Sequence, residues 1–200
     1  MNLHRLDPAD PEALAGYERA FYAAFARAKS NTQVRRLWHW DDRAGRLRTR
    51  IPYEDQVVLV LRDAASGEPG LAGGLDAAPS KPGVVSDVDT AVALNWRLSD
   101  HQSTSLGFEP PPPLEGHCEI LAMFSRRDAD LTGLRNFMRT AAQQALELGL
   151  TTADATCTDR LLPAYRHIGG QPLDACSLDG ERRTRLRFNL ENLARLERLT

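Results

Sequence analysis

Glu119 and Tyr165 are the two residues whose types and settings best fit proton transfer in this sequence. Glu119 interrupts the apolar run "HCEILAMFS" (117–125). A carboxylate held among Ile120, Leu121 and Met123 has a raised proton affinity, because burial disfavours its charged form. That suits a general base acting on an ammonium or on a bound water. The same residue also reads as a half-exposed strand position or half of a structural ion pair. Tyr165 lies in "DRLLPAYRHIGG" (159–170), a short helix closed by Gly169 and Gly170. A phenol there can protonate a leaving thiolate, or it can anchor the core with its hydroxyl at the rim.

Other chemistries fit less well. His117, Cys118 and Glu119 place three potential metal ligands in a row. Neighbours on a strand point to opposite faces, so only His117 and Glu119 share one, and no metal site is expected. Cys118 and Cys157 fall in apolar strands, where neither makes an exposed nucleophile. With Cys176 they form an odd, widely spaced set, expected to be reduced and free of disulfides. Neither GxxxxGK[ST] nor GxGxxG occurs, which removes the P-loop and the dinucleotide fingerprint.

Two clusters could bind rather than react. Arg126, Arg127 and Arg135 flank the start of a helix and could receive an anion, or form a solvated basic edge. Asp128 and Asp130 in the same loop suit a helix cap. Thr132 belongs to this loop, and Gly133 is its one glycine able to let backbone approach a ligand closely. Trp38, His39 and Trp40, followed by Asp41 and Asp42, either line a pocket or fill a core.

These residues need a scaffold. At 42% hydrophobic and 26% charged, the 200 residues are those of an ordinary globular domain, and one domain over 1–200 is expected. A net charge of -2 gives no general attraction to nucleic acid. No apolar run approaches the roughly 18 residues that span a bilayer. The N-terminal segment has no apolar signal core, so a cytoplasmic location is expected.

Helical spacing of Leu14, Tyr17, Phe21 and Phe25 after Asp10 and Pro11 predicts a first helix. "QVVLVLRD" (56–63) and "LAGGLDAA" (71–78) read as a hairpin about "ASGEPG". A long insert follows at about 79–116, with a short helix over 87–98 and a polyproline end. Strand 117–125 then leads into a helix with the apolar stripe Leu134, Phe137, Met138, Ala141 and Ala145, capped by Gly149. A strand (151–158), the Tyr165 helix, two strands about Asp179 and Gly180, and a terminal helix (191–199) complete the chain. The order is that of a mixed α/β domain with a sheet of about six strands.

The segment 118–175 resembles the GNAT acyltransferase superfamily. The resemblance rests on "EILAMFS", the polar loop, the amphipathic helix ending "ELGL", the next strand, and "LLPAYRHIGGQPL". That last piece is similar to the family's tyrosine–x–x–x–glycine–phenylalanine segment, with Gly170 in place of the phenylalanine. The layout looks like the acyl-homoserine-lactone synthase and N-acyl amino acid synthase branch. "LWHWDDRAGRLRTRIPYEDQ" stands before the first strand pair, a long insert follows, and Glu119 matches the branch's glutamate. The branch's arginine three residues later is Ala122 here, and the family's glycine-rich phosphate loop is replaced by "RRDADLTGL".

The resemblance implies a mostly antiparallel sheet with helices on both faces and strands 118–125 and 151–158 splayed apart. It implies an N-acyltransferase working by direct attack, with Glu119 as base and Tyr165 as proton donor. The acyl thioester, on CoA or on an acyl carrier protein's phosphopantetheine, would be a co-substrate rather than a tightly bound cofactor. Backbone near Phe124 and Ser125 would hold the pantetheine, and Arg126, Arg127, Thr132, Gly133 and Arg135 its phosphate. The amine of a small molecule or amino acid would enter beside Trp38, Trp40, Asp41 and Asp42. The other implied reading is a GNAT-like module that binds a ligand or a partner without catalysis.

Overall fold

The computed structural model describes residues 3–26, 32–62, 88–98, 100–125 and 131–197. The stripe expected of the first helix is the buried side of α1 (Pro11–Phe25), where Tyr17 and Phe21 are almost fully enclosed. Asp10 caps it, its Oδ1 accepting the amides of Glu12 and Ala13 at 3.0 Å. Before it lies a strand that patterning did not reveal, β1 (Leu3–Arg5); three residues are too few to show a period.

The aromatic segment is also a strand. A short helix α2 (Thr32–Leu37) runs into β2 (Trp38–Asp41), which pairs with β3 (Arg46–Thr49) as a two-stranded ribbon. The remaining elements are β4 (Gln56–Arg62), β5 (Val88–Asn95), β6 (His117–Ser125), α3 (Leu131–Glu147), β7 (Thr152–Thr158), α4 (Leu162–His167), β8 (Gln171–Leu178), β9 (Glu181–Asn189) and α5 (Leu190–Ala194). Asp179 and Gly180 make the β8–β9 turn, both at positive φ.

Among the described residues the main sheet has seven strands, in the order β1-β4-β5-β6-β7-β9-β8. Every neighbouring pair is antiparallel except β6 with β7. One face packs on α3 and α5 through Phe137, Met138, Leu186 and Phe188. The other packs on α1 and the β2–β3 ribbon through Tyr17, Phe21, Trp38 and Phe124. Helices therefore cover both faces, as expected.

One expected element is corrected. Residues 87–98 hold a strand, not a helix. β5 lies between β4 and β6, and all of its residues but Asp89 are buried. A strand covered on both faces loses its alternation, so its apolar run imitates a helix; its valines and threonine favour the strand. The insert at 79–116 is thus divided by a core strand. The expected returning strand at 71–78 lies outside the described residues. No described helix is long and apolar enough to cross a membrane.

Candidate active site

The ladder between β6 and β7 is short. It joins His117 to Thr152, Cys118 to Ala153 and Glu119 to Asp154, and then ends although both strands continue. On its other side β6 changes register against β5. Ala122 faces Ala93 and Ile120 faces Leu94, so Leu121 is a bulged residue. A bulge bends its strand and re-aims the side chains beyond it. Cys118, Ile120 and Met123 accordingly pack toward α3, whereas Leu121, Ala122 and Phe124 pack toward α1.

Where the two strands part, a groove of about 270 Å³ opens. Residues 120–123 form one side and 155–158 the other. Trp38, Gln102, Tyr165 and Arg183 also line it.

Glu119 is 4% exposed and stands behind Gln102 rather than on the groove wall. Its Oε2 accepts the Gln102 amide and its Oε1 the Ser103 amide, both at 2.7 Å. These two amides begin a 3-10 helix, Gln102–Leu106, whose first donors would otherwise be unpaired. The apolar surroundings expected for this carboxylate are replaced by a backbone cradle.

Gln102 itself was not legible as a site residue, because its partners are set by the bulge. Its Nε2 donates to the carbonyl of Leu121 at 2.6 Å, and its Oε1 accepts the Trp38 indole N–H at 2.9 Å. One side chain thus ties Trp38 to the bulged strand.

Tyr165 lies on α4 with its ring 6.0 Å from that of Phe188. Burial, with the neighbouring Cys157 thiol, pushes its hydroxyl up to about 12, so it stays protonated. Cys157 shares the groove, and burial pushes its thiol up to about 11. Cys118 is raised to about 12 for the same reason. Both are thiols rather than thiolates, which argues against a cysteine nucleophile.

No protein-family model and no curated protein sequence matches the chain. Solved structures do. One is BjaI, a CoA-dependent acyl-homoserine lactone synthase determined with SAM and isopentyl-CoA. It superposes with a TM-score of 0.67 at 14% identity, covering 94% of this chain and 82% of that one. TofI, in a ternary complex with an inhibitor and MTA, gives 0.65 at 13% identity over 96% and 95%. A variant of the spermidine N-acetyltransferase SpeG from Vibrio cholerae gives 0.54 at 8% identity over 98% of both chains. The chain shares the fold of these enzymes.

Within this GNAT fold the remaining expected site residues separate. Trp38 reaches the groove, with its ring also against Phe21 and Phe25. Trp40, Asp41 and Asp42 line a different pocket, of about 790 Å³, with Glu18, Arg46 and Tyr53. There Asp42 accepts from the Tyr22 hydroxyl at 2.9 Å, and Asp41 accepts from the Ala44 amide.

The Phe124 ring, in the segment expected to hold the pantetheine, is stacked on Phe21 at 5.3 Å and sits in the core. The Ser125 hydroxyl oxygen accepts from Thr90 at 3.1 Å. Thr132, Gly133 and Arg135 occupy the first turns of α3, with Gly133 exposed and the other two half-buried. Arg126, Arg127, Asp128 and Asp130 lie outside the described residues.

His117 has a structural setting. Its Nδ1 meets the Thr152 hydroxyl at 2.8 Å, and its Nε2 lies 3.4 Å from Asp154. Among the described residues no group of three potential ligands could hold a metal.

At position 170 the GNAT pattern's phenylalanine would not fit this chain. A Cβ there would come within 2.9 Å of the Phe188 ring and of the Tyr165 carbonyl. Gly169 before it takes φ +97 and ends α4, and the Gly170 amide donates to the Tyr165 carbonyl at 2.9 Å.

Proposed function

We propose that the chain is an N-acyltransferase that moves an acyl group from a thioester to the amine of a small molecule or amino acid. The observation that carries this reading is the place of Tyr165, on the wall of the groove that opens between β6 and β7. The thioester lies in that groove. Beyond Glu119 the β7-facing edge of β6 is released from the ladder, so its backbone groups can take the pantetheine amides. The amine attacks the thioester carbonyl carbon. The tetrahedral adduct collapses by breaking its C–S bond, and the leaving thiolate takes the Tyr165 proton. The nitrogen loses its proton to Glu119 through a water at Gln102, since Glu119 does not itself line the groove.

The donor is acyl-CoA or an acylated carrier protein. Exposed Gly133 and half-buried Arg135 at the head of α3 are the described residues suited to its phosphate. The acceptor side carries Trp38 and Gln102.

A second reading keeps the fold and drops the chemistry. Both Glu119 oxygens are engaged by backbone amides, as in a purely structural cap. On that reading the groove only binds.

Release of free thiol decides between the two. The purified chain is incubated with acyl-CoA or an acylated carrier protein and a panel of primary amines. Amine-dependent thiol release with formation of an amide supports acyl transfer. Tight donor binding with no release under any pairing supports the binding module. Calorimetric titration with CoA at moderate salt identifies the donor class: micromolar binding points to CoA, and its absence points to the carrier.

A further inference from the structure

Gln102 is held at both its backbone and its side chain. Its backbone N–H donates to Glu119 Oε2 at 2.7 Å. Its side-chain amide spans the Trp38 indole and the Leu121 carbonyl, at 2.9 and 2.6 Å. An indole N–H can only donate and a carbonyl can only accept, so the two ends of this amide cannot exchange places. Oε1 faces Trp38, and Nε2 faces Leu121.

An amide nitrogen carries two hydrogens. The Leu121 carbonyl takes one of those on Nε2, and among the described residues no acceptor takes the other. Gln102 is 7% exposed, so water has little access to that second hydrogen. A buried donor without a partner is costly, and an oxygen arriving in the groove would satisfy it. Gln102 and Leu121 both line the groove. Leu121 also lies on the part of β6 that has left the β7 ladder, where the thioester is placed.

The other neutral donors on these walls suit an oxyanion less well. The Trp38 N–H is already given to Gln102. Tyr165 is the proton donor for the leaving sulfur. Thr156 and Thr158 carry hydroxyls that rotate, and the Cys157 thiol is a weak donor. The direction of the Gln102 amide is set in advance by two partners. Stabilisation of a developing charge needs that kind of preorganised donor.

We propose that Gln102 donates its second Nε2 hydrogen to the carbonyl oxygen of the bound thioester, and that this hydrogen bond holds the oxyanion of the tetrahedral adduct. This rests on the acyl-transfer reading for the reaction, and on hydrogen-bond inventory and groove lining for the residue. As the amine nitrogen bonds to the carbonyl carbon, the C=O π pair moves onto oxygen. It returns as the C–S bond breaks and sulfur leaves with that bonding pair. Gln102 transfers no proton at either stage, and acts as a catalytic residue through charge stabilisation.

The test is isotope-edited infrared spectroscopy of butanoyl-CoA and butanoyl-pantetheine, labelled at the carbonyl carbon and bound to the full chain. Wild type is compared with two variants, each checked for folding by circular dichroism. Gln102→Met keeps the side-chain length without a donor. Gln102→Glu keeps an acceptor for Trp38 and has at most one hydrogen to give. The carbonyl stretch should move to lower frequency on binding wild type and return toward its free position in either folded variant. With an amine that wild type acylates, kcat should fall about a hundredfold to a thousandfold in the variants while donor KM changes little, the range for losing one oxyanion donor. A purely structural role would weaken donor binding and turnover together but leave the bound carbonyl at its shifted frequency.

An unshifted carbonyl on wild type would overturn the proposal without any variant. So would a shift that survives in a folded variant, or wild-type kcat in Gln102→Met. A shift that depends on Gln102, with no amide formed from any amine, would keep this contact and sink the acyltransferase reading. Amide formation indifferent to residue 102 would do the reverse. Failure of both thioesters to bind wild type would overturn the two together.

Discussion

Arg187 grips the Asp154 carboxylate with two parallel hydrogen bonds, Nε to Oδ1 at 2.8 Å and Nη2 to Oδ2 at 2.9 Å. Asp154 is the last residue of β7 still paired with β6, so this clamp stands at the point where the strands part. Burial acts to raise the Asp154 pKa, but the neighbouring His117 ring and the hydrogen bonds from Arg187 outweigh it and hold the carboxyl below its usual range. A depressed pKa in the folded state contributes stability that is present above the unfolded carboxylate pKa. That stability is lost as pH falls through the lower, folded value. Asp154→Asn should therefore cost about 1–3 kcal/mol at neutral pH. It should also flatten the acid limb of stability, measured by urea unfolding across pH. An unchanged acid limb would show that the clamp does not contribute.

Gly170 gives a sharper steric prediction. A methyl at this position must displace either the Phe188 ring or the Tyr165 carbonyl, both at 2.9 Å. Gly170→Ala should destabilise by about 1–3 kcal/mol, as overpacking does. It should also lower turnover further than the melting shift explains, because the displaced backbone carries Tyr165. Thermal melts and kcat on the same preparation check both parts.

Glu119 tests the cradle. Replacing it with glutamine turns one acceptor into an amide donor facing a backbone N–H. Leaving a buried donor unpaired costs about 1–3 kcal/mol. If Glu119 also passes a proton, Glu119→Gln should lower kcat about a hundredfold, well beyond what the melting shift explains.

The sequence carried the outer frame of this molecule well. Asp10 before Pro11 and the Tyr17–Phe21 stripe marked α1, and Asp179-Gly180 marked the last hairpin, because caps, helical periods and turns are local signals. β5 was misread because burial on both faces erased its alternation. The same limit applies at the site. Glu119 and Tyr165 stood out by residue type, but the Leu121 bulge, the Gln102 bridge and the place of Arg183 depend on strand register. Trp38 and Trp40, two residues apart, ended at different pockets because other elements meet each ring.

The most direct measurement is acyl transfer by wild type and by Tyr165→Phe, with free thiol and amide product quantified together. Removing the hydroxyl leaves the ring packed on Phe188, so the fold should hold. The account predicts amide formation by wild type and a kcat about a hundredfold or more lower in Tyr165→Phe, the range for losing a general acid. Full turnover in Tyr165→Phe, with Glu119→Gln equally active, would contradict the mechanism assigned to this groove.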